Sequence, residues 1–196
     1  MPNRFLEQNK KISVSQIDLK LFLNFYKKYI CKNIYTYILE DDTEIVVKFE
    51  ENNFSHLLGL HKFKFIKDYK SSEKINEDIM NEKINFKELR ISEENILKKD
   101  NELLDRITFF PILKTLLENT NLVLQYNINA VLNTKINFSF LLRSGKISVL
   151  VYLAVREINN NKKICVPVSL LVDRNNRFSK MKLKELKIKN ITITKK

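Results

Sequence analysis

The sequence predicts an α+β domain in which N-terminal helices pack on a small antiparallel β-sheet. The first half of the chain carries apolar residues at helical spacing, whereas β-branched and aromatic runs separated by turn residues dominate from Asn121 onward. With 196 residues, 44% of them hydrophobic, the chain can bury one core. We therefore expect a single domain over residues 1–176, with residues 177–196 as a basic last strand or tail of the same domain.

The N-terminal part predicts one amphipathic helix followed by two strands. The helix runs from Ser15 to Lys32 with Ser15 as its N-cap, and we expect its aromatic stripe in the core rather than on a ligand platform. The runs Asn33–Leu39 and Glu44–Glu50 are rich in β-branched and aromatic residues, and residues 40–43 between them resemble a turn.

Both histidines of the chain lie in the next segment, residues 52–64, which predicts a short helix capped by Asn53. On one ideal helix His56 and His61 would point about 140° apart, so we do not expect them to chelate one metal ion. Gly59 inside this helix costs about 1 kcal/mol relative to alanine. That cost predicts a close approach of the backbone to another element.

The remaining elements are short helices, one longer helix and a group of strands. Residues 67–102 predict short helices with loops, and Glu102–Asn119 predicts a stronger helix that Pro111 kinks or splits. Strands are expected at residues 122–126, 135–143, 146–158 and 162–172, with turns at 144–145 and 159–161. The tail, 182–194, predicts a basic edge strand or a helix followed by a strand.

Composition and missing motifs exclude several classes of protein. No apolar run reaches the length of a membrane span, and the N-terminus does not resemble a secretory signal. Two cysteines exclude a disulfide scaffold and a multi-cysteine zinc site. The phosphate-binding, dinucleotide-binding, zinc-protease and α/β-hydrolase motifs are missing from the sequence. We expect a reduced cytoplasmic protein without a cofactor or dedicated metal.

The positive charge favours an anionic partner. The net charge is +12, and residues 177–196 hold eight basic residues against one acidic residue. The alternative is codon bias, because A/T-rich codons encode the abundant lysine, asparagine and isoleucine. RNA, or a host nucleoprotein complex, is the expected partner, and no membrane is expected.

Two groups of residues have the chemistry for acting on a phosphodiester. His56 can serve as a general acid or base near neutral pH, and the alternative is a structural histidine. Basic and hydroxyl side chains on the predicted strands could bind a phosphate, and the alternative is an ordinary solvated strand edge. These side chains are Arg143, Ser144, Lys146, Tyr152, Arg156 and Ser169.

Residues 54–62 read Phe-Ser-His-Leu-Leu-Gly-Leu-His-Lys. This run resembles the F-x-H-L-x-G-L-x-K signature of a phage-associated nuclease-like family in the barnase–EndoU–colicin–RelE superfamily. Three later segments resemble the family and follow in its order: residues 105–117, the strand ending at Arg156, and residues 166–171. The chain departs from the family pattern in the strand Tyr152-Leu-Ala-Val-Arg156 and in its basic tail.

The resemblance implies helices on a small antiparallel sheet and metal-independent cleavage of RNA to products with 2′,3′-cyclic phosphate ends. It implies His56 as acid or base, Arg156 as phosphate clamp and Ser169 as hydrogen-bond donor to a phosphate oxygen. The expected nucleic-acid contacts are Lys62, Lys64, Arg143, Lys146, Lys182 and Lys184. Such a nuclease would be a toxin or defence effector of phage or mobile-element origin. The alternative function is a catalytically inert inhibitor of a host nucleoprotein complex, as anti-CRISPR proteins are.

Overall fold

The computed structural model describes residues 10–126, 137–145, 150–159, 163–174, 176–181 and 183–196. Its helices are α1 Leu19–Phe25, α2 Asn53–Leu58, α3 Lys64–Lys67, α4 Ser72–Met80, α5 Phe86–Ser92, α6 Glu94–Lys99, α7 Asn101–Phe109, α8 Leu113–Glu118 and α9 Arg177–Lys180. Its strands are β1 Asn33–Leu39, β2 Glu44–Lys48, β3 Thr120–Gln125, β4 Phe140–Ser144, β5 Val151–Asn159, β6 Ile164–Val172 and β7 Lys184–Lys195.

The first helix starts later than the sequence pattern suggested. The Asp18 carboxylate accepts a hydrogen bond from the Leu21 N–H at 2.9 Å, so α1 begins at Leu19 and Ser15 belongs to a separate 3₁₀ turn. The helix continues as a π-helical segment, Tyr26–Ile30. Phe22 and the first residue of that segment are fully buried, which confirms that the aromatic stripe forms core.

The predicted fold class is wrong, because the strands form a closed mixed barrel rather than a small antiparallel sheet. The strand order is β1-β2-β6-β5-β4-β3-β7. Most neighbours are antiparallel, but β2 pairs in parallel with β6 through Val46↔Ile164 and Val47↔Cys165. This short parallel contact joins strands that are far apart in sequence, so no local pattern encodes it.

The C-terminal strand closes the barrel. β7 pairs with β1 on one side and with β3 on the other, so it is not the expected edge strand. Its half-buried Leu186, Ile188 and Ile191 pack against the main core. Most of the basic C-terminal sequence is therefore one strand of the barrel wall, and the lysines of β7 are spread along that strand.

Several local expectations are confirmed. β1 has the predicted bounds, and Pro111 separates α7 from α8 through a 3₁₀ turn at Phe110–Ile112. Parts of the predicted strands and turns lie outside the described residues, namely 135–136, 146–149 and 160–162.

Two apolar clusters form on opposite faces of the strands. The larger one contains Tyr35 and Tyr37 of β1 together with residues from the helices. The smaller one lies on the other face of β3 to β6 and includes Tyr152 and Phe178. Among the described residues, no helix is long and apolar enough to cross a membrane.

Candidate active site

Helix α2 places the first histidine on the protein surface. Phe54, Leu57 and Leu58 are fully buried and fix one side of this short helix in the main core. His56, between them in sequence, therefore faces outward and is exposed. The helix packs against β6, and His56 lines a cavity together with residues of that strand.

Gly59 ends α2 and reverses the chain. It adopts the left-handed conformation with φ of 72°, and its N–H donates to the His56 carbonyl at 3.0 Å. A 3₁₀ turn, Leu60–Lys62, follows and returns His61 to His56, so that the two imidazole centroids lie 5.3 Å apart at an interplanar angle of 43°. The prediction of diverging rings is wrong because it assumed one continuous helix. A glycine after a short apolar helix is a common C-terminal signal, and it could have revealed this turn.

The close approach predicted at Gly59 is confirmed. A Cβ at this position would lie 2.9 Å from Leu103 Cδ1 and 3.4 Å from Arg106 Nη1, both on α7. Both side chains are almost completely buried. Helix α7 therefore supports the turn that carries the second histidine.

The environment of His61 favours the neutral imidazole. Partial burial lowers the pKa of His61 below its ordinary value, because desolvation penalises the charged ring. The positive charges of His56, Arg106, Lys62 and Lys67, in that order, lower it further. At neutral pH His61 can therefore accept a proton.

A cavity of about 320 Å³ opens beside His56. Arg156, exposed on β5, lies on its wall opposite Val166, its partner in the β5–β6 ladder. The other lining residues come from the start of α2, the first turn of α4 and the middle of β6: Asn52, Asn53, Ser72, Pro167 and Val168. The structure thus brings together two of the three predicted catalytic residues, His56 and Arg156, from distant parts of the chain.

Ser169 follows the cavity wall in sequence but is buried. A β-bulge in β6 shifts the register so that Ser169 pairs with Ala154 of β5. Only 3% of Ser169 is exposed. Its Oγ has no hydrogen-bond partner among the described residues. Val168 lines the cavity, whereas Ser169 lies below the surface. The contact between Ser169 and a phosphate therefore stays a prediction.

Lys62 and Lys64 lie near the histidine pair but not on the cavity wall. The Lys62 ammonium donates to Asp100 at 2.5 Å, and Asp100 also caps α7 by accepting from the Leu103 N–H. Lys64 starts α3, and its backbone N–H donates to Glu93 at 2.7 Å. Lys62 therefore connects the turn to α7, and the Lys64 side chain is exposed.

The other predicted nucleic-acid contacts are dispersed over the barrel. Arg143 lies on β4 opposite Tyr152, and Lys184 begins β7 opposite Gln125. Lys146 and Lys182 lie outside the described residues. The structure does not bring Arg143 or Lys184 to the cavity that His56 and Arg156 line.

The arrangement offers acid–base chemistry next to a cation. Two imidazoles in contact can take opposite protonation states, one accepting a proton while the other donates one. A guanidinium binds phosphate through paired hydrogen bonds and offsets charge that develops on its oxygens. Within the described part of the chain, no group of three or more histidine, cysteine or carboxylate side chains could hold a metal ion.

Comparison with known proteins gives one result. A family model described as phage-Barnase-EndoU-ColicinE5/D-RelE like nuclease4 matches residues 18–195, nearly the whole chain. No curated protein and no solved structure matches the chain. The match covers the histidine turn, α7, β5 and β6, as the resemblance in the sequence indicated. The chain therefore belongs to this phage-associated, nuclease-like family of the barnase–EndoU–colicin–RelE group.

Proposed function

We propose that this protein is a metal-independent ribonuclease that acts on RNA in the cytoplasm of a bacterial host. The observation that carries the proposal is the contact between His56 and His61, 5.3 Å apart, beside a cavity that Arg156 lines. RNA supplies its own nucleophile, the 2′-hydroxyl. Its cleavage then needs a base, an acid and a positive charge, and this site offers all three.

In the proposed reaction His61 is the base. Its lowered pKa keeps it neutral near pH 7, so it can accept the 2′-hydroxyl proton. The 2′-oxygen attacks phosphorus and the bond from phosphorus to the 5′-oxygen breaks. His56, as imidazolium, gives its proton to the departing 5′-oxygen. The products are a 2′,3′-cyclic phosphate and a 5′-hydroxyl. His61 has gained one proton and His56 has lost one.

Arg156 supplies the charge for the transition state. Its guanidinium is exposed on the cavity wall and can donate to non-bridging phosphate oxygens. The Ser72 hydroxyl, on the same cavity, is a second donor. Ser169 is left out of the reaction because its side chain is buried.

The test is incubation of the pure protein with end-labelled RNA in excess EDTA. We expect products with 2′,3′-cyclic phosphate ends, and a loss of at least ~10²-fold in rate for His56→Ala and for His61→Ala. The chain has no third histidine that could serve as a control. We therefore use Lys67→Ala, which removes a positive charge near His61 but leaves both imidazoles in place. Urea unfolding of each variant checks that the fold is intact.

The pH profile separates the two histidines. In the wild type kcat/KM should follow a bell-shaped curve, and His61→Ala should lose the acidic limb because the base is missing. Stable histidine variants with wild-type activity, or activity that EDTA abolishes, would overturn the mechanism. RNA binding without any cleavage by the wild type would instead favour the inert inhibitor of a nucleoprotein complex.

A further inference from the structure

Part of the cavity beside His56 has no role in the proposed reaction. His56, Arg156 and Ser72 carry the groups that act on the phosphodiester. The other described lining residues come from the start of α2 and the middle of β6: Asn52, Asn53, Val166, Pro167 and Val168. The cavity volume of about 320 Å³ lies at the lower end of the range for small-ligand sites. The cavity therefore has room for more of the substrate than the reacting phosphate.

The β6 side of the cavity opens where a proline ends the ladder between β2 and β6. The Val46 N–H of β2 donates to the Lys163 carbonyl at 3.1 Å in this parallel ladder. In this register the N–H groups of residues 165 and 167 face β2. Residue 167 is a proline and has no N–H to donate, so the ladder cannot continue past it. Residues 166–168 line the cavity instead.

The exposed stretch of β6 presents no hydrogen-bonding side chain, because it consists of Val166, Pro167 and Val168. A phosphate is charged and strongly hydrated, so burying it against apolar side chains is costly. A nucleobase has flat faces that can be buried against such side chains and an edge that needs hydrogen bonds. This wall therefore favours a base over a second phosphate.

Asn53 provides one oriented hydrogen-bond donor on the α2 side of the cavity. Its amide oxygen accepts from the Glu50 N–H at 2.8 Å. The amide cannot be reversed without bringing two donors together, so its NH₂ group is the end available to a ligand. Among the described residues this NH₂ group has no hydrogen-bond partner, and Asn53 is half-buried.

We propose that the cavity binds the nucleobase next to the cleaved phosphodiester, and that Asn53 selects a base with a ring carbonyl over adenine. The inference rests on the proposed function for its choice of RNA as the ligand. Uracil, cytosine and guanine each carry a carbonyl oxygen that can accept from the Asn53 NH₂ group. Adenine has no carbonyl and carries an amino group, itself a donor, where guanine carries its carbonyl.

The neighbouring Asn52 has a different part in this site. It is exposed, and its side chain makes no hydrogen bond within the described part of the chain. Its amide is free to rotate and can donate to or accept from the base edge. Asn52 therefore contributes affinity, whereas the fixed amide of Asn53 determines specificity.

The chain offers a matched pair of variants, Asn53→Asp and Asn85→Asp. Asn85 is also half-buried, and its side-chain oxygen accepts from the Glu88 N–H at 3.0 Å, but it does not line this cavity. In both variants the aspartate retains an oxygen for the backbone N–H and adds one negative charge. Only Asn53→Asp replaces a donor in the cavity by an acceptor.

The experiment measures binding of two fluorescent, fully 2′-O-methylated RNA tetramers, one of uridine and one of adenosine, which cannot be cleaved. Anisotropy gives the ratio of the Kd for the adenosine RNA to the Kd for the uridine RNA. One net hydrogen bond predicts a wild-type ratio of about 2 to 10. Asn53→Asp should lower the ratio to about one or below, because its new oxygen accepts from adenine and repels a carbonyl. Asn85→Asp should keep the wild-type ratio.

The ratio separates base recognition from general effects. An added negative charge weakens binding of both RNAs alike, and differences in stacking between the free RNAs are the same for every variant. A ratio that Asn53→Asp leaves unchanged while both affinities fall would overturn the inference and indicate a phosphate in the cavity. Equal affinity of the wild type for the two RNAs would overturn it without any variant.

Urea unfolding checks that each variant is folded. If Asn53→Asp is unstable, Asn53→Ala removes the donor without adding charge and should bring the ratio to that of the free strands' intrinsic preference, below the wild-type value. Because binding of these RNAs requires no catalysis, the outcome is independent of the cleavage assay. Base preference in a protein without nuclease activity would retain this inference and overturn only the proposed function. Cleavage of RNA with no base preference would do the reverse.

Discussion

Replacing Gly59 by alanine should destabilise the protein and damage the site without changing either histidine. The left-handed conformation, with φ of 72°, costs an L-residue about 1–2 kcal/mol. The new Cβ would also lie 2.9 Å from Leu103 Cδ1, and overpacking of this kind costs about 1–3 kcal/mol. Since Leu103 is fully buried and has little room to move, we expect a total loss of about 2–5 kcal/mol in the free energy of unfolding.

Urea unfolding measures this loss, and two comparisons identify its causes. Gly145→Ala is the control, because the atoms nearest to its Cβ would belong to the amide end of the exposed Asn121 side chain, which can move, and we expect a loss below about 1 kcal/mol. In a Leu103→Ala background the same change at Gly59 should cost only the backbone contribution, about 1–2 kcal/mol. A Gly59→Ala protein as stable as the wild type would refute the reasoning, as would an undiminished cost in the Leu103→Ala background.

Three further predictions concern stability and reactivity. Lys62→Gln should lower the free energy of unfolding in urea by about 1 kcal/mol or less, because the Lys62 ammonium forms an ion pair with Asp100 at the start of α7. RNA affinity should not change. A fall in RNA affinity at unchanged stability would instead show that Lys62 binds phosphate. Burial alone would raise the pKa of Asp105, but hydrogen bonds from Arg174, at 2.6 Å, and from the N-terminal segment lower it overall. This carboxylate therefore stabilises the fold above its unfolded pKa of about 4, and the stabilisation is lost as pH falls through the lowered value. Asp105→Asn should cost about 1–3 kcal/mol at pH 7 and progressively less below pH ~4, and a cost independent of pH would contradict this. Burial raises the pKa of Cys31 and of Cys165 to about 12, so iodoacetamide at pH 8 should label both in urea and neither in the native protein, as mass spectrometry would show.

Local sequence determined the elements whose signals lie within a few residues. The β-branched run of β1 gave the observed bounds, and Pro111 separated two helices, because proline cannot donate the next helical hydrogen bond. The family resemblance of the sequence agrees with the family model that matches residues 18–195, but Arg156 lies inside β5 and not at the end of a strand. For these residues the backbone chemistry or the motif is contained in the chain segment itself.

The tertiary structure decided which of these residues meet. Closure of the barrel depends on β7 lying between β1 and β3, and pairing between distant strands leaves no local pattern to read. The histidine pair depends on Gly59, where the backbone turns in the left-handed conformation and α7 packs so closely that no side chain would fit. Arg156 reaches the cavity only because β5 pairs with β6 under helix α2. Sequence determined the chemistry of each side chain, whereas contacts between distant segments, selected by packing of the whole core, determined the site.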